Sequence, residues 1–211
     1  MLRVGLTAGQ TRSSRIDRNK NHRRLDSAEM NLTGVDSNRK GCEALFNGKL
    51  IFLQTLSGYR GPRDIDPRGL QRVFEADVDD AVLGQAVTEV VAKSRFVLPK
   101  KRTDVIQHPL VEFDAEMYDK AILRNWYQTW SVPAMERFGF RDEKDLFRRM
   151  KRCAVEVNGL VMTITPTHHE SLFGWGREEG DGIEDVELDV TSSAADIGAA
   201  LRLAFSRCTG R

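Results

Sequence analysis

The segment 153–164, CAVEVNGLVMTI, constrains the fold more tightly than any other stretch of the chain. Apolar and polar residues alternate on both sides of Asn158-Gly159, a dipeptide that tolerates the positive φ angles of a type I′ turn. A two-residue turn there sets Val157 opposite Leu160, Val155 opposite Met162 and Cys153 opposite Ile164. All six then project from one face of the pair, and Ala154, Glu156, Val161 and Thr163 from the other. Turn chemistry and hydrophobic parity agree, so an antiparallel hairpin with one face in a core is expected. Cys153 reads as a small buried residue of that core, by its apolar strand setting.

Other segments read as its neighbours. Leu50-Ile51-Phe52-Leu53 is apolar at every position, as a strand covered on both faces would be, and Asn47-Gly48 can turn a hairpin before it. Gly58, Gly61, Pro62 and Pro67 mark a loop. From Asp80, taken as a cap, to about Lys93, the residues Val82, Leu83, Ala86, Val87, Val90 and Val91 repeat at the helical period and form one stripe. A second helix is expected after Asp114, with Tyr118, Ile122, Trp126 and Trp130 spaced by four and Leu123 and Tyr127 beside them. Pro133 should break or kink it, and Gly139 should stop its continuation. A third helix runs from Asp142 to about Lys151 over Leu146, Phe147 and Met150. Val186, Leu188 and Val190 alternate with Glu187 and Asp189, as in a strand with one wet face. Ser193 and Asp196 form the capping box of a last helix. Its inner face is Ile197, Ala200, Leu201, Ala204 and Phe205, and Gly210 lies just past its end. Strands and helices alternate irregularly, which favours an α+β fold: one domain, with a mixed, mainly antiparallel sheet flanked by helices.

A chain of 211 residues, 40% hydrophobic and 30% charged, is that of an ordinary globular protein. It buries roughly 70% of its unfolded surface without a disulfide or metal staple. Residues 1–40 read as a basic strand or arm of the same domain, and 41–211 as its α/β body. Leu2, Val4 and Leu6 alternate like a short edge strand, and nine Lys or Arg residues lie between Met1 and Lys40. Cys42, Cys153 and Cys208 are odd in number and widely spaced; they make neither a disulfide framework nor a zinc pattern and suit a reducing compartment. No apolar signal core follows Met1, and no run approaches the ~20 apolar residues of a membrane span, so a cytoplasmic protein without a membrane partner is expected. A net charge of +1 argues against a polyanion binder.

The second half is familiar in several segments taken in order: RNWYQTW at 124–130, MERFGF at 135–140, DLFRRMKRC at 145–153, ITPTHHESLFGW at 164–175 and GDGIEDVELDVTSSAADIGAALRLAFSRC at 180–208. Together they resemble the immunity proteins of bacterial contact-dependent growth inhibition, strongly from Arg124 to Cys208 and loosely elsewhere. The resemblance implies a cytoplasmic inhibitor that binds the C-terminal toxin domain of a large secreted surface protein and blocks its active site or substrate entry. Many such toxins are nucleases, often acting on transfer RNA. It also implies that the chain is not itself an enzyme, needs no cofactor and does not bind nucleic acid directly. The family pattern singles out no interface residues, because each member is paired with its own toxin, and it does not extend to the basic stretch before Cys42.

A recognition surface therefore has to be sought in the residues themselves. From Glu170 to Val190 there are eight acids against Arg177 alone. A nuclease carries Lys and Arg around its site to attract phosphate. An inhibitor presenting Glu178, Glu179, Asp181, Glu184, Asp185, Glu187 and Asp189 can mimic that polyanion and gain steered association. The same acids on a solvated strand would only discourage edge pairing, and both readings stand. Trp175, between Gly174 and Gly176 beside the acids, is either a partner contact or a core residue. Trp126, Tyr127 and Trp130 read as core from their helical spacing rather than as interface anchors. In Pro166-Thr167-His168-His169-Glu170, adjacent histidines on an extended segment point to opposite sides, so they do not share one metal ion, and a structural role is expected. The basic N-terminal stretch suggests the rival reading, an RNA- or DNA-binding protein or nuclease. No aromatic residue occurs in the first 40 positions, however, and no zinc finger or RNA-recognition motif is present, which favours a solvated arm. Neither Gly-x-Ser-x-Gly nor a glycine-rich phosphate loop supports a hydrolase.

Overall fold

The computed structural model describes residues 37–59, 63–101, 103, 107–178 and 180–210. The expected strand at Leu2, Val4 and Leu6, the arginines of the N-terminal arm before Arg39, and Glu179 lie outside the described residues. Chain contacts divide the protein after Gly34, and the unit Val35–Arg211 holds everything described below.

The strands are β1 (Lys40–Phe46), β2 (Leu50–Ser57), β3 (Asp64–Ile65), β4 (Gln71–Glu75), β5 (Val97–Leu98) and β6 (Glu112–Phe113). They continue as β7 (Lys151–Asn158), β8 (Val161–Pro166), β9 (His168–Ser171), β10 (Gly174–Gly176), β11 (Val186–Asp189) and β12 (Thr209–Gly210). The helices are α1 (Asp80–Ala92), α2 (Lys120–Phe138), α3 (Glu143–Phe147) and α4 (Ala194–Arg207). The main sheet runs β11-β8-β7-β1-β2, with β3 and β4 both pairing the far side of β2, and every pairing in it is antiparallel. Parallel pairs occur only in the small sheets among the described residues, between β5 and β6 and between β9 and β12. The α+β architecture with a mainly antiparallel sheet flanked by helices is as expected.

All eight residues of β2 are buried, and parity divides Leu50–Leu53 between two cores. Ile51 and Leu53 join Cys42, Ala44, Cys153, Val155, Met162 and Ile164 against the inner faces of α1 and α4. Leu50 and Phe52 join Leu45 on the other side, against Trp130 and Ala134 of α2 and Leu146 and Phe147 of α3. Phe52 and Trp130 stack with centroids 3.9 Å apart. At about 25 cal/mol per Å² of apolar surface, each such side chain contributes roughly 1.5–3 kcal/mol when fully covered, which is why the sheet needs helices on both faces.

Several local expectations are corrected. The β7–β8 register pairs Asn158 with Val161, Val157 with Met162 and Val155 with Ile164, so Cys153 faces Pro166 and the turn residues are Gly159-Leu160. A type I′ turn at Asn158-Gly159 needs positive φ at both; only Gly159 has it, at 60°, and it takes the first turn position. A two-residue shift of pairing preserves parity, so the buried set survives and only Leu160 moves, to an exposed tip. Gly48 behaves alike in the β1–β2 hairpin, with φ 91° and Phe46 paired with Ile51. The cap of α1 is Asp79, not Asp80: its Oδ1 accepts from the Ala81 N–H at 2.8 Å, while Asp80 accepts from Arg202 Nε at 2.6 Å. Val82 falls off the buried stripe and is exposed.

After Asp114 comes a 3-10 turn, Ala115–Tyr118, and α2 proper starts after its cap, Asp119. Tyr118 is therefore exposed and donates its hydroxyl to Asp64 at 2.6 Å. Pro133 does not interrupt α2, which runs on to Phe138 and ends at Gly139 with φ 68°. Proline deprives the Thr129 carbonyl of its bond, but both residues are exposed, so water can take it. α3 is shorter than expected because Lys151 already begins β7, although Leu146, Phe147 and Met150 are buried as expected.

Candidate functional site: the acidic loop and the β11 edge

The acidic segment follows the β9–β10 hairpin and ends in β11. Its one cation organises it. Arg177 donates from Nε to Asp181 at 2.7 Å, from Nη1 to Asp185 at 2.9 Å and to the Pro166 carbonyl at 3.1 Å, and from Nη2 to the Ile183 carbonyl at 2.6 Å. Asp181 also accepts from the backbone N–H groups of Ile183 at 2.9 Å and Glu178 at 3.3 Å. The Ile183 N–H, with the Arg177 guanidinium and the Glu178 N–H, holds its carboxyl below the ordinary aspartate value. Asp181 and Asp185 thus spend their charge on folding the loop. Glu184 lies 3.7 Å from Arg207 but is largely exposed, a contact of little energetic consequence.

The acids directed outward are others. Glu178 is exposed at the start of the loop. On β11, Val186 and Leu188 face the α1/α4 core, so Glu187 and Asp189 face away from it and are exposed. Glu187 stands opposite Thr163 of β8, which in turn stands opposite Glu156 of β7. Glu156 is compensated by an ion pair with Arg39. Asp189 accepts from the Thr191 hydroxyl at 2.6 Å and N–H at 2.7 Å, and these bonds lower its carboxyl from the usual value. Ala154, Thr163 and Thr165 lie on this face of the sheet, where Val161 stands exposed opposite Asp189.

Trp175 sits half-buried beside this region. Its Nε1 donates to the Met150 carbonyl at 2.7 Å, and its ring stacks on His169 at 5.1 Å and 14°. Phe147 lies 6.2 Å away. Trp175 therefore pins the β9–β10 hairpin to the α2/α3 core while remaining part-exposed. Trp130 is buried in that core, as its spacing suggested, and Tyr127 meets it edge-on at 5.7 Å. His168 and His169 point to opposite sides: His169 is buried, and His168 is exposed, its Nδ1 and the Thr209 hydroxyl sharing a hydrogen bond of 2.8 Å. A cleft of about 430 Å³ opens between His168, Glu170, Arg177, Glu178, Asp181 and Thr209. Among the described residues no group of three His, Cys, Asp or Glu side chains is placed to hold a metal ion, and no helix is long and apolar enough to cross a membrane.

Sequence reading missed the aromatic neighbour of this site. Phe173, at the tip between β9 and β10, is 57% exposed and rests edge-on against Phe147 at 5.1 Å.

Residues 40–208 match the family model described as CDI immunity protein. The chain belongs to the CDI immunity protein family. Membership makes it an immunity protein of the contact-dependent growth inhibition type. This CDI immunity protein is 42% identical over 164 residues to the immunity protein CdiI-YPIII of Yersinia pseudotuberculosis serotype O:3 (strain YPIII), a match covering 78% of this chain and 92% of the relative. Its fold is similar to a chain of the CdiA-CT/CdiI toxin and immunity complex from Yersinia pseudotuberculosis, with a TM-score of 0.74 and 38% identity, covering 83% of this chain and 99% of that one. It is also similar to the protein of unknown function NMB0488 from Neisseria meningitidis, with a TM-score of 0.66 and 25% identity, covering 82% and 97% of the two chains.

Proposed function

We propose that this CDI immunity protein neutralises the C-terminal toxin domain of a cognate surface effector by binding it in the cytoplasm, with no catalysis of its own, and that the toxin is a nuclease. The observation that carries the reading is the match to a chain of a toxin and immunity complex, along 99% of that chain. The nuclease part is supported by charge. The segment 178–189 turns Glu178, Glu187 and Asp189 outward, while the preceding Arg177 is taken up by Asp181 and Asp185 within the loop. Within the acidic set, Glu178, Glu179, Glu184, Glu187 and Asp189 meet the cationic toxin surface, Asp181 and Asp185 hold the loop that presents them, and Trp175 fixes the adjoining hairpin and borders the contact.

Co-expression with the neighbouring effector's toxin domain tests the assignment: growth should be rescued, and the purified pair should co-elute. If the toxin is a nuclease, its cleavage of transfer RNA should stop at one equivalent of immunity protein. Neutralising Glu178, Glu187 and Asp189 together should slow association roughly tenfold or more and flatten its salt dependence, as measured by stopped flow. An association rate indifferent to both salt and these charges would remove the acidic segment from the interface.

A further inference from the structure

We propose that Cys153 and Cys208 form a hydroperoxide-sensitive dithiol, which closes to a disulfide and staples the end of α4 to the mid-sheet strand β7. The two thiols lie far apart in the chain and together in space, with Sγ atoms 3.6 Å apart. Cys153 projects from β7 into the α1/α4 core and is fully buried. Cys208 caps α4 in an extended conformation, φ −60° and ψ 136°, its N–H still bonded to the carbonyls of Ala204 and Phe205. The next residue is anchored too, since the Thr209 N–H donates to the Thr167 carbonyl at 3.3 Å. Both thiols are thus held by backbone on two sides. A disulfide of about 2.05 Å requires their sulfurs to close by roughly 1.5 Å, a movement on the scale of a side-chain rotation.

The pair is chemically unequal in the way such a reaction needs. Cys208 is 8% exposed, at the margin of the core, and its hydrogen bond with Cys153 outweighs burial. With the Thr167 backbone and the charge of Lys151 also helping, its thiol is brought down to about 7. Burial pushes the Cys153 thiol well up. Cys42 is fully buried, its thiol also pushed up by burial, and it serves as an internal control. Thiolate character and access together select Cys208 as the group that meets the oxidant.

The steps balance. The Cys208 thiolate attacks one oxygen of hydrogen peroxide, forming an S–O bond as the O–O bond breaks, and the departing hydroxide takes a proton to become water. The Cys153 sulfur, losing its proton, then attacks the Cys208 sulfur; an S–S bond forms, the S–O bond breaks, and a second water leaves. Two thiols and one peroxide yield one disulfide and two waters. Peroxide is reduced, and the two sulfurs are oxidised.

Folded full-length protein treated with hydrogen peroxide, quenched and then denatured, should show its three free thiols reduced to one. Its mass should fall by about 2 Da. A peptide linking residues 153 and 208 should appear, and dithiothreitol should reverse all three changes. Cys42→Ser should leave the cross-link intact. Cys153→Ser should abolish it and let a sulfenic-acid trap such as dimedone label Cys208. Should Cys153→Ser fail to fold, Cys208→Ser at the core margin is the second variant, and it should leave Cys153 and Cys42 both unreacted. Three thiols persisting in the treated wild type, a cross-link through Cys42, or over-oxidation without a 153–208 link would each overturn the proposal.

Discussion

Arg95, just beyond α1, donates to Asp66 from Nε and Nη2, both at 2.7 Å, and to Asp114 from Nη2 at 2.9 Å. Ser57 completes the group: its hydroxyl donates to Asp66 at 2.6 Å and accepts from the Arg95 N–H at 2.8 Å. Asp66 is fully buried and Asp114 nearly so, so these side chains tie the end of β2, the loop after β3 and the approach to α2 at one point. Asp114 has a second partner in Arg68 at 3.1 Å, whereas Asp66 depends on Arg95. Arg95→Met should therefore cost about 3–5 kcal/mol in urea unfolding, because it strands a buried carboxylate.

Burial alone would raise the Asp66 carboxyl, but hydrogen bonds from Arg95, Ser57 and the Arg68 N–H, with the Arg95 charge, hold it below the ordinary aspartate value. A folded-state value below the unfolded one, about 3.9, contributes stability above that pH and loses it as pH falls through the folded value. The urea midpoint should therefore drop as the solution is taken below about pH 4. Asp66→Asn, which cannot titrate, should show a shallower drop over the same range. None of this network was legible in the sequence, since its members stand at the end of β2 and in three separate loops with no shared motif.

Helices α1 and α4 pack with their backbones in contact, and two glycines make that possible. A Cβ on Gly84 would lie 1.8 Å from the Ala194 carbonyl oxygen, and one on Gly198 would lie 2.0 Å from that of Asp80. Glycine inside an exposed helix costs about 1 kcal/mol relative to alanine, so propensity alone would have alanine stabilise both sites. Backbone overlap reverses the sign. Gly84→Ala and Gly198→Ala should each destabilise by about 1–3 kcal/mol or more, read from the urea midpoint, and a gain in stability would contradict the close approach. The helices themselves were readable from Leu83, Ala86, Val87, Val90 and Val91 and from the Ser193–Asp196 box, where the Asp196 N–H donates to Ser193 Oγ at 3.2 Å. Their closeness was not, because a lone glycine in a helical pattern does not say what it approaches.

At the scale of the molecule, the described residues cover the two faces of the main sheet unequally. α1 and α4 close one face, while α2 and α3 pack over Leu45, Leu50, Phe52 and Val73 toward the β4 side of the other. The β7–β8–β11 part of that second face, with Thr163, Thr165 and Glu187, is left partly open beside the acidic loop. The family match begins at residue 40. We therefore expect a chain lacking residues 1–34 to neutralise the toxin as the full chain does, measured by growth rescue and by titration of the purified pair. Loss of rescue by a folded truncated protein would return the arm to the interface.

The family, the hairpin parity, the doubly buried β2 and the capped helices were determined by the order of residues alone, because periodicity and capping depend on neighbours a few positions apart. The turn positions moved by one residue without disturbing them, since a two-residue change of register returns every side chain to its own face. What the tertiary structure decided is which charged and reactive groups remain available. Arg177 closes on Asp181 and Asp185, Trp175 is tied to Met150, and Cys208 arrives beside Cys153. Each is a pairing of groups brought together by the path of the backbone, and the fate of a charge or a thiol depends on what that path sets beside it.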